Sequence, residues 1–165
     1  MIKEKFVQKK WMIYGASGYT GKLIVEEAIK RGLTPILAGR NESKLQALVL
    51  NNGLEYRVFD LKKRVVIAKH LDDIEIVLHC AGPFSATAKP MMAACLHSHT
   101  HYLDITGEIT VFQHAKQLDK SAIAAGIIIC PGVGFDVIPT DCLASTLKLL
   151  MPDASSLWLG FSSKS

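Results

Sequence analysis

The chain has 165 residues, enough for one domain with a sizeable core, and its 49% apolar and 21% charged residues exclude an intrinsically disordered protein. Its net charge of +4 is small and its basic residues are scattered, which argues against a nucleic-acid-binding surface. The nearest approach to a membrane-spanning run, 122–130, contains Gly126 and is followed by Pro131, so we predict no membrane-spanning segment.

The cysteines indicate a reducing compartment. Cys80, Cys95, Cys130 and Cys142 form no Cys-x-x-Cys pair. Residues 1–10 carry four lysines and lack the apolar stretch of a secretory signal. We therefore expect free, buried thiols and a cytoplasmic location.

The first predicted strand, 11–14, ends in a glycine-rich loop that opens directly into an amphipathic helix. The loop reads Gly15, Ala16, Ser17, Gly18, Tyr19, Thr20 and Gly21. Backbone amides at the positive end of a helix suit a pyrophosphate. We expect Gly15 to allow the turn, Gly18 to let the backbone approach the phosphates, and Gly21 to let the helix pack closely, with the Ser17 and Thr20 hydroxyls as further donors. The loop predicts a dinucleotide site; an ordinary turn is the alternative.

The end of the second predicted strand, 34–38, indicates which dinucleotide is bound. A domain that prefers NAD usually places Asp or Glu here to accept a hydrogen bond from the ribose 2′-hydroxyl. This chain has Arg40 and Asn41 instead, and a guanidinium pairs well with a 2′-phosphate. We predict NADP rather than NAD. The alternative is that Arg40 is merely exposed and that Glu42 holds the ribose.

The next two strands add further candidate contacts. Asn41 is placed to cap a second helix, and the strand at 55–59 ends at Asp60, whose carboxylate could accept from the adenine amino group or simply be solvated. The run 74–80 has the pattern of a central parallel strand. Ligands of a doubly wound sheet lie where the strand order reverses, so we expect the loop after this strand beside the ribose and nicotinamide, unless it is a plain turn. Its residues are Ala81, Gly82 and Pro83.

The second half of the chain continues the alternation of helix and strand. Three alternating histidines, His97, His99 and His101, lack the spacing of a recognised metal site, so we expect an exposed turn and no metal. The predicted elements are a helix opened by Pro90, a strand at 102–105, a long helix with a Thr110–Gln113 capping box that Gly126 ends, a strand at 127–130, a helix at 139–150 and a strand at 156–161.

These patterns do not identify a catalytic residue. None of the four tyrosines is followed four positions later by lysine, so the Tyr-x-x-x-Lys pair of short-chain dehydrogenases is absent. Tyr102, Asp104 and Asp136 lie near predicted strand ends and are candidate proton donors, although each could equally fix a loop.

Five motifs follow one another along the chain: GASGYTG at 15–21, AGRN at 38–41, AGPF at 81–84, HYLDITGE at 101–108 and GVGFDVIPTD at 132–141. Together they resemble the NADP-binding domain of the saccharopine dehydrogenase-like reductases, a family that includes trans-acting enoyl reductases. The resemblance implies that a second, largely antiparallel domain follows and supplies much of the substrate site and the dimer contact. Residues 1–153 would then form the dinucleotide-binding domain and 154–165 the first strand of the second domain.

We therefore predict a three-layer α/β fold, a Rossmann-type doubly wound parallel sheet with strand order 3-2-1-4-5-6. The predicted function is hydride transfer between NADPH and a carbonyl, imine or enoyl group of a small-molecule substrate, with this piece inactive by itself. A non-catalytic NADP-binding sensor or scaffold is the alternative from a different class. An unpaired apolar strand near Trp158 could pair with a second copy, so a homodimer is a further expectation.

Overall fold

The computed structural model describes residues 10–50 and 52–160, in which six strands alternate with seven helices. The strands are β1 (Lys10–Tyr14), β2 (Ile36–Gly39), β3 (Tyr56–Val58), β4 (Ile74–His79), β5 (His101–Asp104) and β6 (Ile129–Cys130). The helices are α1 (Tyr19–Lys30), α2 (Glu42–Val49), α3 (Arg64–Leu71), α4 (Phe84–Ser98), α5 (Ile109–Gln117), α6 (Asp119–Ala125) and α7 (Ile138–Leu150).

The described strands lie parallel in one sheet, in the order β3-β2-β1-β4-β5-β6. This confirms the predicted doubly wound topology, in which the strand order reverses between β1 and β4. The register aligns Tyr14 with Ala38 on one side and with His79 on the other, and it aligns His79 with Asp104. The carboxyl ends of these strands therefore form one edge of the sheet, and the loops that follow them meet there.

Alternate residues of β1 point into two apolar cores, one on each face of the sheet. Met12 and Tyr14 belong to the larger core, to which α3, α4, α5 and α6 contribute, whereas Ile13 belongs to the smaller core with α1 and α2. Each of these three side chains is at most 2% exposed. Helices cover both faces of the sheet, which confirms the predicted three layers.

Helix α4 begins earlier than expected, at Phe84, and Pro90 lies inside it. The prediction that Pro90 opens this helix was wrong because the true start is stabilised from a distance. The Glu108 carboxylate accepts hydrogen bonds from the backbone N–H groups of Phe84 (2.7 Å) and Ser85 (2.8 Å). Amides in a first turn have no partner within the helix, so this cap satisfies two of them.

The long helix predicted near residue 110 is instead two helices, α5 and α6, which meet at Leu118. Thr110 does not cap α5, because the helix already begins at Ile109, directly after Glu108. Other predicted ends are confirmed. The Asn41 side chain caps α2, and Gly126 ends α6 in the left-handed conformation with a φ of 67°.

Residues 151–160 follow α7 without a strand, so the strand predicted from residue 156 is not formed there, and Phe161 lies outside the described residues. A strand needs a neighbour for its backbone hydrogen bonds, and a local sequence pattern cannot supply one. The assignment of 154–165 to a second domain stays a prediction. In the described part of the chain, every helix is too short or too polar to cross a bilayer.

Candidate functional site

The glycine loop between β1 and α1 is held by close backbone contacts. Gly15 has a φ of +86°, and the amides of Gly15 and Ala16 both donate to the Ala38 carbonyl oxygen, at 2.8 and 3.2 Å. A Cβ at Gly15 would lie 2.9 Å from the Ala81 nitrogen, and one at Gly21 would lie 2.2 Å from the Gly15 oxygen. Both positions therefore require glycine, the first for the turn and the second for the close approach of α1.

Helix α1 starts directly after Gly18, with no side-chain cap and no acidic residue in its first turn. The Gly18 amide donates to the Gly15 oxygen at 3.0 Å. The amides of the following first turn have no partner within the helix. Together with the helix dipole they favour an anion at this end of α1, where Tyr19 and Thr20 are exposed.

Two cations lie at the end of β2, on either side of a helix cap. The Asn41 Oδ1 accepts hydrogen bonds from the Lys44 amide (3.0 Å) and the Ser43 hydroxyl (2.8 Å). Arg40 and Lys44 are both exposed and line the same cleft. Lys44 was not predicted from the sequence as a cleft residue. Its position, four residues after Arg40 and in the first turn of a capped helix, could have indicated it.

A surface cleft of about 600 Å³ joins these elements at the carboxyl edge of the sheet. The cleft is lined by Tyr14, Gly15, Ser17, Gly18, Gly39, Arg40, Asn41, Lys44, Cys80, Ala81 and Gly82. All of these except Tyr14, Gly39, Lys44 and Cys80 are predicted contact residues. Of the other predicted contacts, Tyr19, Thr20, Gly21 and Pro83 directly follow lining segments in the sequence, whereas Asp60 does not.

Asp60 makes local contacts after β3. Its Oδ1 accepts a hydrogen bond from the Lys62 amide at 3.0 Å, and its Oδ2 lies 3.9 Å from the Lys62 ammonium group. The carboxylate therefore stabilises the turn that leads towards α3. A contact between Asp60 and adenine stays a prediction.

The residues at the end of β4 are neutral. Burial raises the pKa of the Cys80 thiol to about 12, so this cysteine is not a thiolate at neutral pH. His79 is completely buried, and burial lowers its pKa to about 3. The charge of the cleft therefore comes from the β2 end, where Arg40 and Lys44 lie.

Two of the candidate proton donors, Tyr102 and Asp104, are fully buried. The Tyr102 hydroxyl donates to Asp104 Oδ2 at 2.6 Å, and Asp104 Oδ1 accepts from the amides of Thr106 (3.0 Å) and Gly132 (2.9 Å). Burial and the neighbouring Asp104 raise the pKa of Tyr102 far above its usual range. These contacts favour the loop-fixing alternative for both residues, while Asp136, the third candidate, is exposed.

The three alternating histidines lie in a helix end, a helix cap and a strand, so the prediction of one exposed turn at 97–101 was wrong. His97 lies in the last turn of α4, His99 Nδ1 lies 2.8 Å from the Ala125 carbonyl oxygen, and His101 Nδ1 accepts from the Ile128 amide at 3.0 Å. Across residues 10–50 and 52–160, no three His, Cys, Asp or Glu side chains are grouped to hold a metal ion.

Proteins of one family are similar to this chain. The family model described as the saccharopine dehydrogenase NADP binding domain matches residues 11–130. A saccharopine dehydrogenase-like oxidoreductase of Mus musculus is 28% identical over 151 residues, and a trans-acting enoyl reductase of Mycobacterium leprae is 33% identical over 138 residues. Each match covers 79% of this chain but only 35% and 33% of the relatives, so the chain spans about a third of their length.

Solved structures share the fold. An apo saccharopine dehydrogenase (L-Glu forming) from Saccharomyces cerevisiae gives a TM-score of 0.74 at 17% identity, covering 87% of this chain and 31% of that protein. An NADPH-dependent quinone oxidoreductase from Escherichia coli, solved with NADPH, gives a TM-score of 0.57 at 18% identity, covering 73% and 47%. These likenesses show the Rossmann-type fold. The family match goes further: the chain belongs to the saccharopine dehydrogenase NADP-binding domain family, and NADP is its cofactor.

Proposed function

We propose that this chain is the cofactor-binding part of an oxidoreductase that transfers a hydride between NADPH and a carbonyl, imine or enoyl group of a small molecule. The observation that carries the proposal is the cleft of about 600 Å³, which joins the glycine loop, the cations after β2 and the loop after β4. In doubly wound folds a dinucleotide lies across this edge of the sheet. Bound NADPH supplies the hydride, and the chain supplies binding and orientation.

The glycine loop and the start of α1 would hold the diphosphate. Gly15 and Gly18 let the backbone come close, and Ser17 also lines the cleft. The first-turn amides of α1, at Tyr19, Thr20 and Gly21, would donate to the diphosphate oxygens. Because this turn has no acidic residue, no side-chain carboxylate from it competes for the positive end of the helix.

Arg40 and Lys44 would bind the 2′-phosphate. Both line the cleft, so a doubly charged phosphate gains from two cations at once. Glu42, the alternative ribose ligand, is not among the lining residues, and its Oε1 accepts from Gln46 Nε2 at 3.3 Å along α2. The contacts of Glu42 therefore support the preference for NADP over NAD.

Ala81, Gly82 and Pro83 would lie beside the nicotinamide ribose, at the β4 end of the cleft. We infer that residues 154–165 begin a second domain that supplies the substrate site and a dimer contact, since the curated relatives are about three times as long as their matched part. The 165-residue chain would then bind the cofactor without turning over substrate. A cytoplasmic location stays a prediction.

Ligand titration tests the cofactor part of the proposal. In isothermal titration calorimetry we expect NADPH to bind at least about tenfold more tightly than NADH, because only NADPH carries the 2′-phosphate. We expect 2′,5′-ADP, which contains that phosphate, to compete with NADPH. Equal affinities for NADPH and NADH, or binding of neither, would overturn the proposal.

Hydride transfer itself is tested on the full-length protein, by following NADPH absorbance with a panel of carbonyl, imine and enoyl compounds. We expect one of these three classes of compound to cause oxidation of NADPH. If NADPH binds and no class consumes it, the enzymatic part of the proposal is wrong and only cofactor binding is retained.

A further inference from the structure

A hydrogen-bonded pair, His79 and Thr87, joins β4 to the loop at 81–83. His79 ends β4 and is 0% exposed. Its Nε2 lies 3.0 Å from Thr87 Oγ1, and the Thr87 hydroxyl lies 2.6 Å from the Ala81 carbonyl oxygen and 3.0 Å from that of Pro83. The pair therefore connects a buried strand residue to both ends of a loop in the cofactor cleft.

The chemistry of Thr87 sets the direction of each hydrogen bond. A hydroxyl has one proton and carbonyl oxygens only accept, so Thr87 donates towards Ala81 and Pro83. The His79 Nε2 then carries the imidazole proton and donates it to Thr87. Nδ1 is left unprotonated, and among the described residues it has no hydrogen-bond partner. Burial lowers the pKa of His79 to about 3, which keeps this neutral form at physiological pH.

Aromatic rings from three elements surround the imidazole. Its centroid lies 5.5 Å from that of Tyr14 on β1, 5.4 Å from that of Phe84 on α4 and 6.0 Å from that of Tyr102 on β5. Close packing of this kind restricts the ring to one position. The position of the Thr87 hydroxyl is therefore set by the core, and the loop that it holds is set with it.

That loop forms one wall of the cofactor cleft. Ala81 and Gly82 line the cleft, and the Ala81 nitrogen would lie only 2.9 Å from a Cβ on Gly15. We propose that His79 and Thr87 are positioning residues of the cofactor site, which fix the 81–83 loop at the distance from the glycine turn that a dinucleotide requires. This inference rests on the proposed function and concerns only the β4 end of the cleft.

Variants of Thr87 test the inference through binding rather than turnover. Thr87→Val removes the hydroxyl with little change of shape, and we expect it to weaken NADPH about tenfold. We expect 2′,5′-ADP to bind as it does to the wild type, because that ligand would contact the β2 end and the glycine loop and has no nicotinamide ribose to lie beside the 81–83 loop. Thr87→Ser keeps the hydroxyl and should keep the wild-type NADPH affinity. Thr146→Val is the matched control, since Thr146 donates to the carbonyl oxygen four residues before it, at 2.8 Å, outside the cleft lining.

Thr87→Val leaves the buried His79 N–H without an acceptor and could therefore destabilise the fold. A second variant controls for this effect. The double variant His79→Phe/Thr87→Val removes both polar groups and keeps an aromatic ring among its neighbours. We expect it to bind 2′,5′-ADP normally and NADPH weakly. Unchanged NADPH affinity in either folded variant, or a parallel loss of both ligands, would overturn the inference. A wild-type chain that binds neither ligand would instead overturn the proposed function.

Discussion

Arg40 and Lys44 are exposed side chains that the end of β2 and the start of α2 bring to the same cleft. Arg40 directly follows β2, Lys44 lies in the first turn of α2, and Asn41 between them caps the helix. A lone lysine on a helix surface is ordinarily a solvated charge. Beside Arg40, at the carboxyl end of a parallel strand, Lys44 would add a second positive charge to the proposed 2′-phosphate site.

Replacing Lys44 with alanine should weaken NADPH about fivefold and leave NADH unchanged, because an exposed ion pair contributes about 1 kcal/mol. Arg40→Ala should have the larger effect, since a guanidinium can donate two parallel hydrogen bonds to one phosphate. The measurement is the ratio of the NADPH and NADH Kd values by calorimetry. Lys69→Ala, which removes an exposed lysine of α3, is the control. An equal loss for both dinucleotides would contradict a role at the 2′-phosphate.

At Gly21 even a methyl group is excluded. A Cβ there would lie 2.2 Å from the Gly15 oxygen and 2.9 Å from the Ala16 Cα. Both are backbone atoms, which cannot rotate away as a flexible side chain can. We expect Gly21→Ala to displace α1, to lower the free energy of unfolding by about 1 to 3 kcal/mol and to abolish NADPH binding. Gly107→Ala is the control, because no atom lies within 4 Å of its added Cβ. Wild-type Tm and NADPH affinity in Gly21→Ala would show this packing argument to be wrong.

At the scale of elements, α4 depends on a residue from another loop. Hydrogen bonds from Ser85 and from the Phe84 amide hold the pKa of Glu108 below its ordinary value. The Glu108 amide donates to the Thr106 hydroxyl at 3.0 Å, and the Thr106 amide donates to Asp104. The start of α4, next to the candidate cofactor cleft, is thus connected through these groups to the end of β5.

Glu108→Gln removes the negative charge from the positive end of α4 and keeps the shape of the side chain. Because folding lowers the pKa of Glu108, the charged cap contributes stability above its ordinary pKa of 4.5 and is lost as the pH falls below that value. We expect a lower Tm for the variant at pH 7 and a Tm near that of the wild type under acid conditions, measured by circular dichroism. Glu26→Gln, at an exposed position of α1, is the control. A difference in Tm that does not depend on pH would argue against a charge effect.

At the scale of the whole molecule, one network of ion pairs lies at the sheet edge opposite the cleft. Arg57 donates to Asp73 at 2.6 and 2.8 Å and to Glu55 at 3.1 and 2.9 Å. Lys10 lies 3.1 Å from Asp73 and 3.3 Å from Glu55. Lys10, Glu55 and Asp73 occupy the amino ends of β1, β3 and β4 or the residues just before them. One edge of the sheet therefore carries stabilising charge pairs, and the other carries the candidate cofactor site.

Asp73 makes stability depend on pH. Its hydrogen bonds with Arg57 hold its pKa well below the ordinary value of 3.8, so the pair contributes stability above that pH and loses it as the pH falls through the folded-state pKa. The side chain is 48% exposed, so screening by solvent limits the contribution to about 1 kcal/mol or less. Asp73→Asn should lower the free energy of unfolding at pH 7 by up to this amount and reduce its loss in acid, measured by urea unfolding at several pH values. Asp72→Asn is the neighbouring control, and an unchanged acid slope in Asp73→Asn would contradict the prediction.

The parts predicted from sequence have local causes. The Asn41 cap, the Gly126 helix end and the tight glycine turn at Gly15 each follow from a short stretch of chain, and the strand order follows from the alternation of strands and helices along the chain. The parts that were missed join distant segments: Glu108 caps α4 from 24 residues away, and Asp104 reaches Gly132 across 28. Within the cleft, the glycine and arginine motifs are readable in the sequence. The His79–Thr87 hydrogen bond could not be predicted from the sequence, because a histidine in an apolar strand does not indicate its hydrogen-bond partner.

Helix α7 has no buried residue within the described part of the chain, and Leu143, Leu149 and Leu150 are 53%, 82% and 74% exposed. A folded molecule with such a surface is expected to enhance the fluorescence of the dye ANS, a response usually taken as a mark of a molten globule. Here the signal would coexist with the near-ultraviolet circular dichroism of packed tyrosines. Dye-based melting curves would start from a high baseline, so circular dichroism is the more suitable probe for the unfolding experiments described above.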